Sequence, residues 1–259
     1  MNLLSLLSPI GMIVVGLGSI IYWKKKSKIA LRFFLSGALA WIIAVILKGA
    51  FAAILNKPII NFLKNKMPFI LSGPLSWIYV GLLTGIFECG IVLLFLYLFK
   101  NLKKVNWKES VGFGIGFGAI EAFLLGITSF IIVLITIFIP SEQLPKELIG
   151  PPQLQSLYAI PAPIIERISA LFTHIFSVVL ILYAFKTNEW KWFWLSFWYK
   201  TAVDSVAGYV HLTYGLKNLT VMGLWILEFI MLLFALVGFW GLINIRKKWK
   251  IVEEGEAGI

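Results

Sequence analysis

Charge is what this sequence has least of. Of its 259 residues only 14% are Asp, Glu, Lys or Arg and 60% are hydrophobic, whereas a soluble domain carries about a quarter charged residues. The apolar residues come in runs long enough to cross a bilayer, for which about 20 suffice, so lipid rather than water is the solvent. Cysteine is almost missing: the single Cys89 excludes an intramolecular disulfide and leaves the redox compartment open. Acidic residues are outnumbered, 12 against 23 Lys and Arg, for a net charge of +11. In a soluble chain that excess would raise the question of nucleic acid. Here the cations sit in short segments between apolar runs, which reads as membrane topology and anionic-lipid contact, with no nucleic-acid partner. The apolar stretch Met1–Ile21 has neither a basic leader nor a small-residue cleavage site, so it reads as a retained first span rather than a signal peptide. There is no internal repeat and no low-complexity segment.

What is present is an all-α, polytopic transmembrane helical bundle of about seven spans. The expected spans are about Leu3–Tyr22, Ala30–Leu55, Trp77–Phe99, Glu109–Ile139, Ile164–Phe185, Trp192–His211 and Thr220–Ile245. A polar loop is expected over Asn56–Pro68, with Pro74 and Ser76 just before the third span. The longest loop, Pro140–Pro163, holds six prolines and is no continuous helix. Residues 1–245 form one bundle domain and 246–259 a tail, basic and then acidic, ordered near the membrane. With the amino terminus outside, the inner segments hold Lys24–Lys28, Arg32, Lys100–Lys108, Lys186, Lys191 and Arg246–Lys250, and the outer loops only Lys57, Lys64, Lys66, Lys146 and Lys217. The positive-inside rule therefore puts the carboxyl terminus in the cytoplasm of a multi-pass cell-membrane protein. Trp23, Trp107, Trp190, Trp192, Trp194 and Trp249 fall at the inner boundary as anchors.

An ionised side chain at the bilayer centre costs at least about 2.5–3.5 kcal/mol, and persists where it faces the bundle interior, a partner or water. Glu88, Glu121, His174 and Asp204 each lie about 10–12 residues into their spans, which is about 15–18 Å from a membrane face, the midplane. Four spans thus bring one polar side chain each to the same depth. Either these are unrelated contacts that glue helices together or they share a site. Carboxylates and an imidazole are ligands for zinc or another divalent ion, and a carboxylate can activate a bound water, although one histidine with three carboxylates is an unusual zinc set. Cys89, beside Glu88, either adds a sulfur or packs as a small hydrophobe. Glu166 and Arg167, near the outer end of the fifth span, pair with each other or support the site from two turns away. Lys48 pairs with Glu228 or snorkels outward, Lys200 snorkels to the inner side, and His211 marks a boundary. Gly112, Gly114, Gly116 and Gly118 permit close helix approach ahead of Glu121.

The segments Gly85-Ile86-Phe87-Glu88-Cys89, Gly112 through Glu121, Glu166-Arg167 with His174, and Thr201-Ala202-Val203-Asp204 resemble the YhfC family, which is grouped with the CAAX-protease and bacteriocin-processing type of intramembrane metalloproteases. The resemblance covers roughly residues 75–210. It implies cleavage of a membrane-embedded or lipid-modified peptide, with Glu88 as the water activator, Glu121 as a further catalytic carboxylate and ligand, and His174 and Asp204 as ligands to a divalent metal such as zinc. Glu166 and Arg167 match their segments as support. The chain departs from the family pattern at four places. Cys89 stands at the second glutamate, Val92 at an arginine, Phe117 at the histidine of the glycine-rich segment and Thr201 at the histidine of the last segment. Loss of two imidazoles should lower zinc affinity steeply. Three functions are therefore carried forward, with enzyme status open. They are an intramembrane metallopeptidase, a catalytically degenerate relative acting as a membrane scaffold or complex subunit, and an ion or solute transporter.

Overall fold

The computed structural model describes residues 3–139, 143–145, 156–215 and 219–257; most of the proline-rich loop, with Pro140, Pro151, Pro152 and Lys146, lies outside them, as does Lys217. Among the described residues all regular structure is helical: α1 (Leu7–Ser27), α2 (Leu31–Lys66), α3 (Phe69–Thr84), a π-turn over Gly85–Cys89, α4 (Gly90–Leu98), α5 (Trp107–Phe138), α6 (Ala162–Thr187), α7 (Lys191–Thr213) and α8 (Val221–Ala257). Six passes, with α3 and α4 counted as one, are long and apolar enough to cross a membrane. The remaining helix, α7, is less apolar because it carries Lys191, Lys200 and Asp204. Side chains such as Phe69, Phe138, Met222 and Trp240 are exposed, and a bilayer is the environment that covers them.

Local chemistry sets the helix ends. Asn106 and Glu109 close a reciprocal capping box on α5. Lys28 and Asn188 take left-handed backbone conformations (φ 58° and 56°) that stop α1 and α6. The expected loop at Asn56–Pro68 is instead helix up to Lys66, with Pro58 inside α2. A proline removes one backbone hydrogen bond but does not end this helix; beside it Tyr79 donates to Asn56 Oδ1 at 3.0 Å, tying α3 to this stretch of α2. At 36 residues, α2 is about 54 Å long, so its polar end extends past a hydrocarbon core of about 30 Å. Pro74, expected before its span, lies within α3. At the other end of the chain α8 continues beyond Ile245 to Ala257. Trp249 is not a boundary anchor: it is 0% exposed, wedged against Tyr183 and Trp107.

Helix α6 is the axis of the bundle, nearly continuously buried from Thr173 to Ala184, with α1, α5, α7 and α8 packed around it. The glycines of α5 make that packing tight. Gly112 and Gly116 face Ile29 and Phe34, while Gly114 and Gly118 face Ile175, Leu171 and His174. A Cβ on Gly116 would overlap the Phe34 carbonyl, so α2 and α5 touch backbone to backbone. On the other side α3 meets α7, where a Cβ on Gly81 would strike the Thr201 carbonyl.

Candidate functional site

Glu88 lies in the π-turn between α3 and α4. Such turns break the regular i→i−4 ladder and recur at functional sites; here the turn delivers Glu88 into the bundle at 4% exposure. One carboxylate oxygen meets Lys48 Nζ from α2 at 2.8 Å, and the other meets Lys200 Nζ from α7 at 3.0 Å. His174, on the buried face of α6, stands next to this pair: its Nδ1 is 3.8 Å from Glu88 Oε2 and 3.4 Å from Lys200 Nζ.

On the far side of the imidazole, His174 Nε2 is 2.7 Å from Glu121 Oε2. Lys200 bears only donors, so it donates to Nδ1; the proton of a neutral ring then sits on Nε2 and is donated to Glu121. Trp41 Nε1 donates to the same Glu121 oxygen at 3.0 Å. Arg167 donates to the other Glu121 oxygen and, through Nε and Nη2, to both oxygens of Glu166. At the near end Thr84 donates to Asp204, which also lies 3.8 Å from Lys48 Nζ. One continuous network thus runs Asp204–Lys48–Glu88–Lys200–His174–Glu121–Arg167–Glu166 across four of the eight helices (α2, α5, α6 and α7) and the π-turn. It joins four carboxylates to three basic side chains and one imidazole.

The four midplane residues that stood out in the sequence therefore converge, and Glu166 with Arg167 join them. Cys89 does not: its sulfur lies 3.6 Å from Ser196 Oγ and 3.8 Å from Ser177 Oγ, in a small buried hydroxyl cluster. Two lysines stand elsewhere than expected. Lys200 does not snorkel; it is 3% exposed at the centre of the site. Lys48 pairs with Glu88 and Asp204 rather than with Glu228. The missed signal was available, since three carboxylates at one depth demand cations at the same depth. Glu228 is buried, and among the described residues its Oε2 has no hydrogen-bond partner. The Phe117 ring packs 5.2 Å from the imidazole of His174, and the Thr201 hydroxyl is buried without a hydrogen-bond partner among the described residues.

A divalent ion would have to compete with lysine for this donor set. Glu88 Oε2 accepts no hydrogen bond among the described residues, but ammonium groups stand 2.8 and 3.0 Å from the two Glu88 oxygens, both Glu121 oxygens accept N–H donors, and His174 Nδ1 faces Lys200, so an ion bound between Glu88 and His174 would displace Lys200. No group of three His, Cys, Asp or Glu suited to a metal occurs among the described residues. The place between Glu88 and His174, where a cation would sit, is taken by the ammonium of Lys200.

Comparison with known proteins returns one family, the YhfC intramembrane metalloproteases, whose model matches residues 11–230. No curated protein and no solved structure matches. The family's name implies a divalent metal. On a match that spans most of its length, the chain belongs to the YhfC intramembrane metalloprotease family.

Proposed function

We propose that this protein is a member of its protease family that has exchanged metal catalysis for a lysine-closed charge network, and that it acts as a membrane scaffold or complex subunit which holds a hydrophobic peptide segment. The observation that carries this reading is Lys200 Nζ, 3.0 Å from Glu88 and 3.4 Å from His174. A tethered ammonium supplies the positive charge that these two groups would otherwise direct at an ion, and it needs no cofactor. Phe117 and Thr201 at two histidine positions support the same reading, because neither offers an imidazole.

Retained binding is supported by an apolar crevice of about 350 Å³ between α7 and α8. Val206 and Tyr209 line one wall, and the lipid-exposed Met222 and Ile226 the other.

The test is metal content and cleavage together. The full chain, purified in lipid nanodiscs and analysed by mass spectrometry of metals, should hold no stoichiometric zinc or other divalent ion, and should leave a reconstituted single-pass membrane peptide intact. Stoichiometric metal lost on His174→Ala, with cleavage lost on Glu88→Gln, would overturn the proposal. It would instead support the second reading, favoured by family membership: a zinc-dependent peptidase in which Lys48 and Lys200 withdraw when substrate enters.

A further inference from the structure

The basic end of the bundle holds a second site, independent of the midplane network. A cavity of about 710 Å³ opens between the first turn of α5 and the extension of α8. Lys108, Arg246, Lys247 and Lys250 line it, with Trp107 and Glu253. Its one carboxylate is already engaged, because Trp107 donates its backbone N–H to Glu253 Oε1 at 2.9 Å. Lys250 makes an exposed pair with Glu254 at 3.6 Å. Lys108, Arg246 and Lys247 have no carboxylate within ion-pair distance among the described residues.

The frame around these cations is held in place. Trp23 at the end of α1 donates to the Lys108 carbonyl at 3.0 Å. Buried Trp249 packs edge-on against Trp107 with ring centroids 5.9 Å apart. The cavity is therefore walled by α5 and α8, with α1 bracing the α5 wall through Trp23.

Helix α8 also bears on what this cavity could hold. Leu236, Trp240 and Ile243 are exposed and recur every three to four residues, so they share one helical face with Lys247 and Lys250. That face is apolar along the membrane segment and cationic where the segment ends. A free phosphate would use only the second half of such a stripe. A lipid uses both: acyl chains lie along Leu236, Trp240 and Ile243, and the phosphate enters the basic cavity.

We infer that this cavity is a headgroup site for an anionic phospholipid. Arg246 offers paired N–H groups to phosphate oxygens, Lys108 and Lys247 act as point charges from opposite walls, and Trp107 borders the headgroup.

The test is lipid retention by the full chain. Protein is reconstituted in vesicles of phosphatidylcholine and phosphatidylglycerol, mixed about three to one to mimic an anionic leaflet, then extracted and examined by native mass spectrometry. Wild-type protein should retain phosphatidylglycerol over phosphatidylcholine, and the variant R246Q/K247Q/K250Q should lose that preference by at least about tenfold. The variant K24Q/K25Q/K26Q removes equal charge from the end of α1 and should keep the preference; equal loss in both variants would reduce the effect to net charge and overturn the site. Inorganic phosphate, added in place of lipid to delipidated protein, should give little thermal stabilisation. Stabilisation equal to that by phosphatidylglycerol would reassign the cavity to free phosphate and overturn the lipid assignment.

Discussion

Lys200 Nζ lies 3.0 Å from Glu88 Oε2, with neither side chain more than 5% exposed, so each is the other's main counter-charge in a medium that solvates neither. Removing one partner of a buried pair typically costs about 3–5 kcal/mol, because the survivor stays buried and uncompensated, whereas replacing both is often near neutral. Lys200→Met and Glu88→Gln should each lower stability by about that amount. The double variant should recover part of the loss, limited by Lys48, which keeps only Asp204 at 3.8 Å. Reversible unfolding in mixed micelles measures the cycle. Additive losses would mean that the two groups are not coupled.

Arg167 bridges Glu121 and Glu166 with three nitrogens, a fork that a lysine cannot reproduce. Arg167→Lys keeps the charge and should still cost about 2 kcal/mol through the lost charge-assisted hydrogen bonds. Arg167→Ala should cost more, since Glu121 then holds only Trp41 and His174. Thermal unfolding of the two variants gives the ranking, and equal losses would show that geometry adds nothing to charge here.

The midplane carboxylates were legible in the sequence because lipid makes an ionised side chain conspicuous: Glu88, Glu121, His174 and Asp204 stood out by depth alone and do converge. Lysine is harder to read. A long stem allows Lys48 and Lys200 either to reach water or to turn inward, and only the positions of the neighbouring helices decide. Pro58 misled for a related reason. Proline breaks helices in water, but α2 continues through it, with Tyr79 from α3 bonded to Asn56. The seven long helices were evident from hydrophobic runs. The π-turn at Glu88 was not, because no local sequence pattern marks one extra residue per turn.

Helix contact through glycine makes a sharper test of the fold. A Cβ at Gly116 would overlap the backbone carbonyl of Phe34, while one at Gly49 would meet nothing within 4 Å. Gly116→Ala should therefore force α2 and α5 apart and cost about 1–3 kcal/mol, as overpacking does. Gly49→Ala should be neutral or gain up to about 1 kcal/mol from helix propensity. Both are read as melting shifts on the same preparation, and a tolerated Gly116→Ala would contradict the backbone contact.

Cys89 tests whether the family's second glutamate could be restored. The residue is 1% exposed, its sulfur beside Ser177 and Ser196, which are already satisfied by each other at 2.7 Å and by the Ser177 carbonyl, to which Ser196 donates at 2.9 Å. Cys89→Ala removes only weak sulfur contacts and should cost no more than about 1–2 kcal/mol. Cys89→Glu adds a larger, charged side chain where the nearest polar atoms are two serine hydroxyls, so it should lower stability by several kcal/mol. Added zinc should not rescue it, because the atoms a metal would need on Glu88 and His174 still face Lys200. The same burial keeps the thiol from reagents: maleimide should label Cys89 only after denaturation. Labelling of the folded protein would show that the hydroxyl cluster opens to solvent, and zinc-dependent stabilisation of Cys89→Glu would show that Lys200 yields its place to a metal.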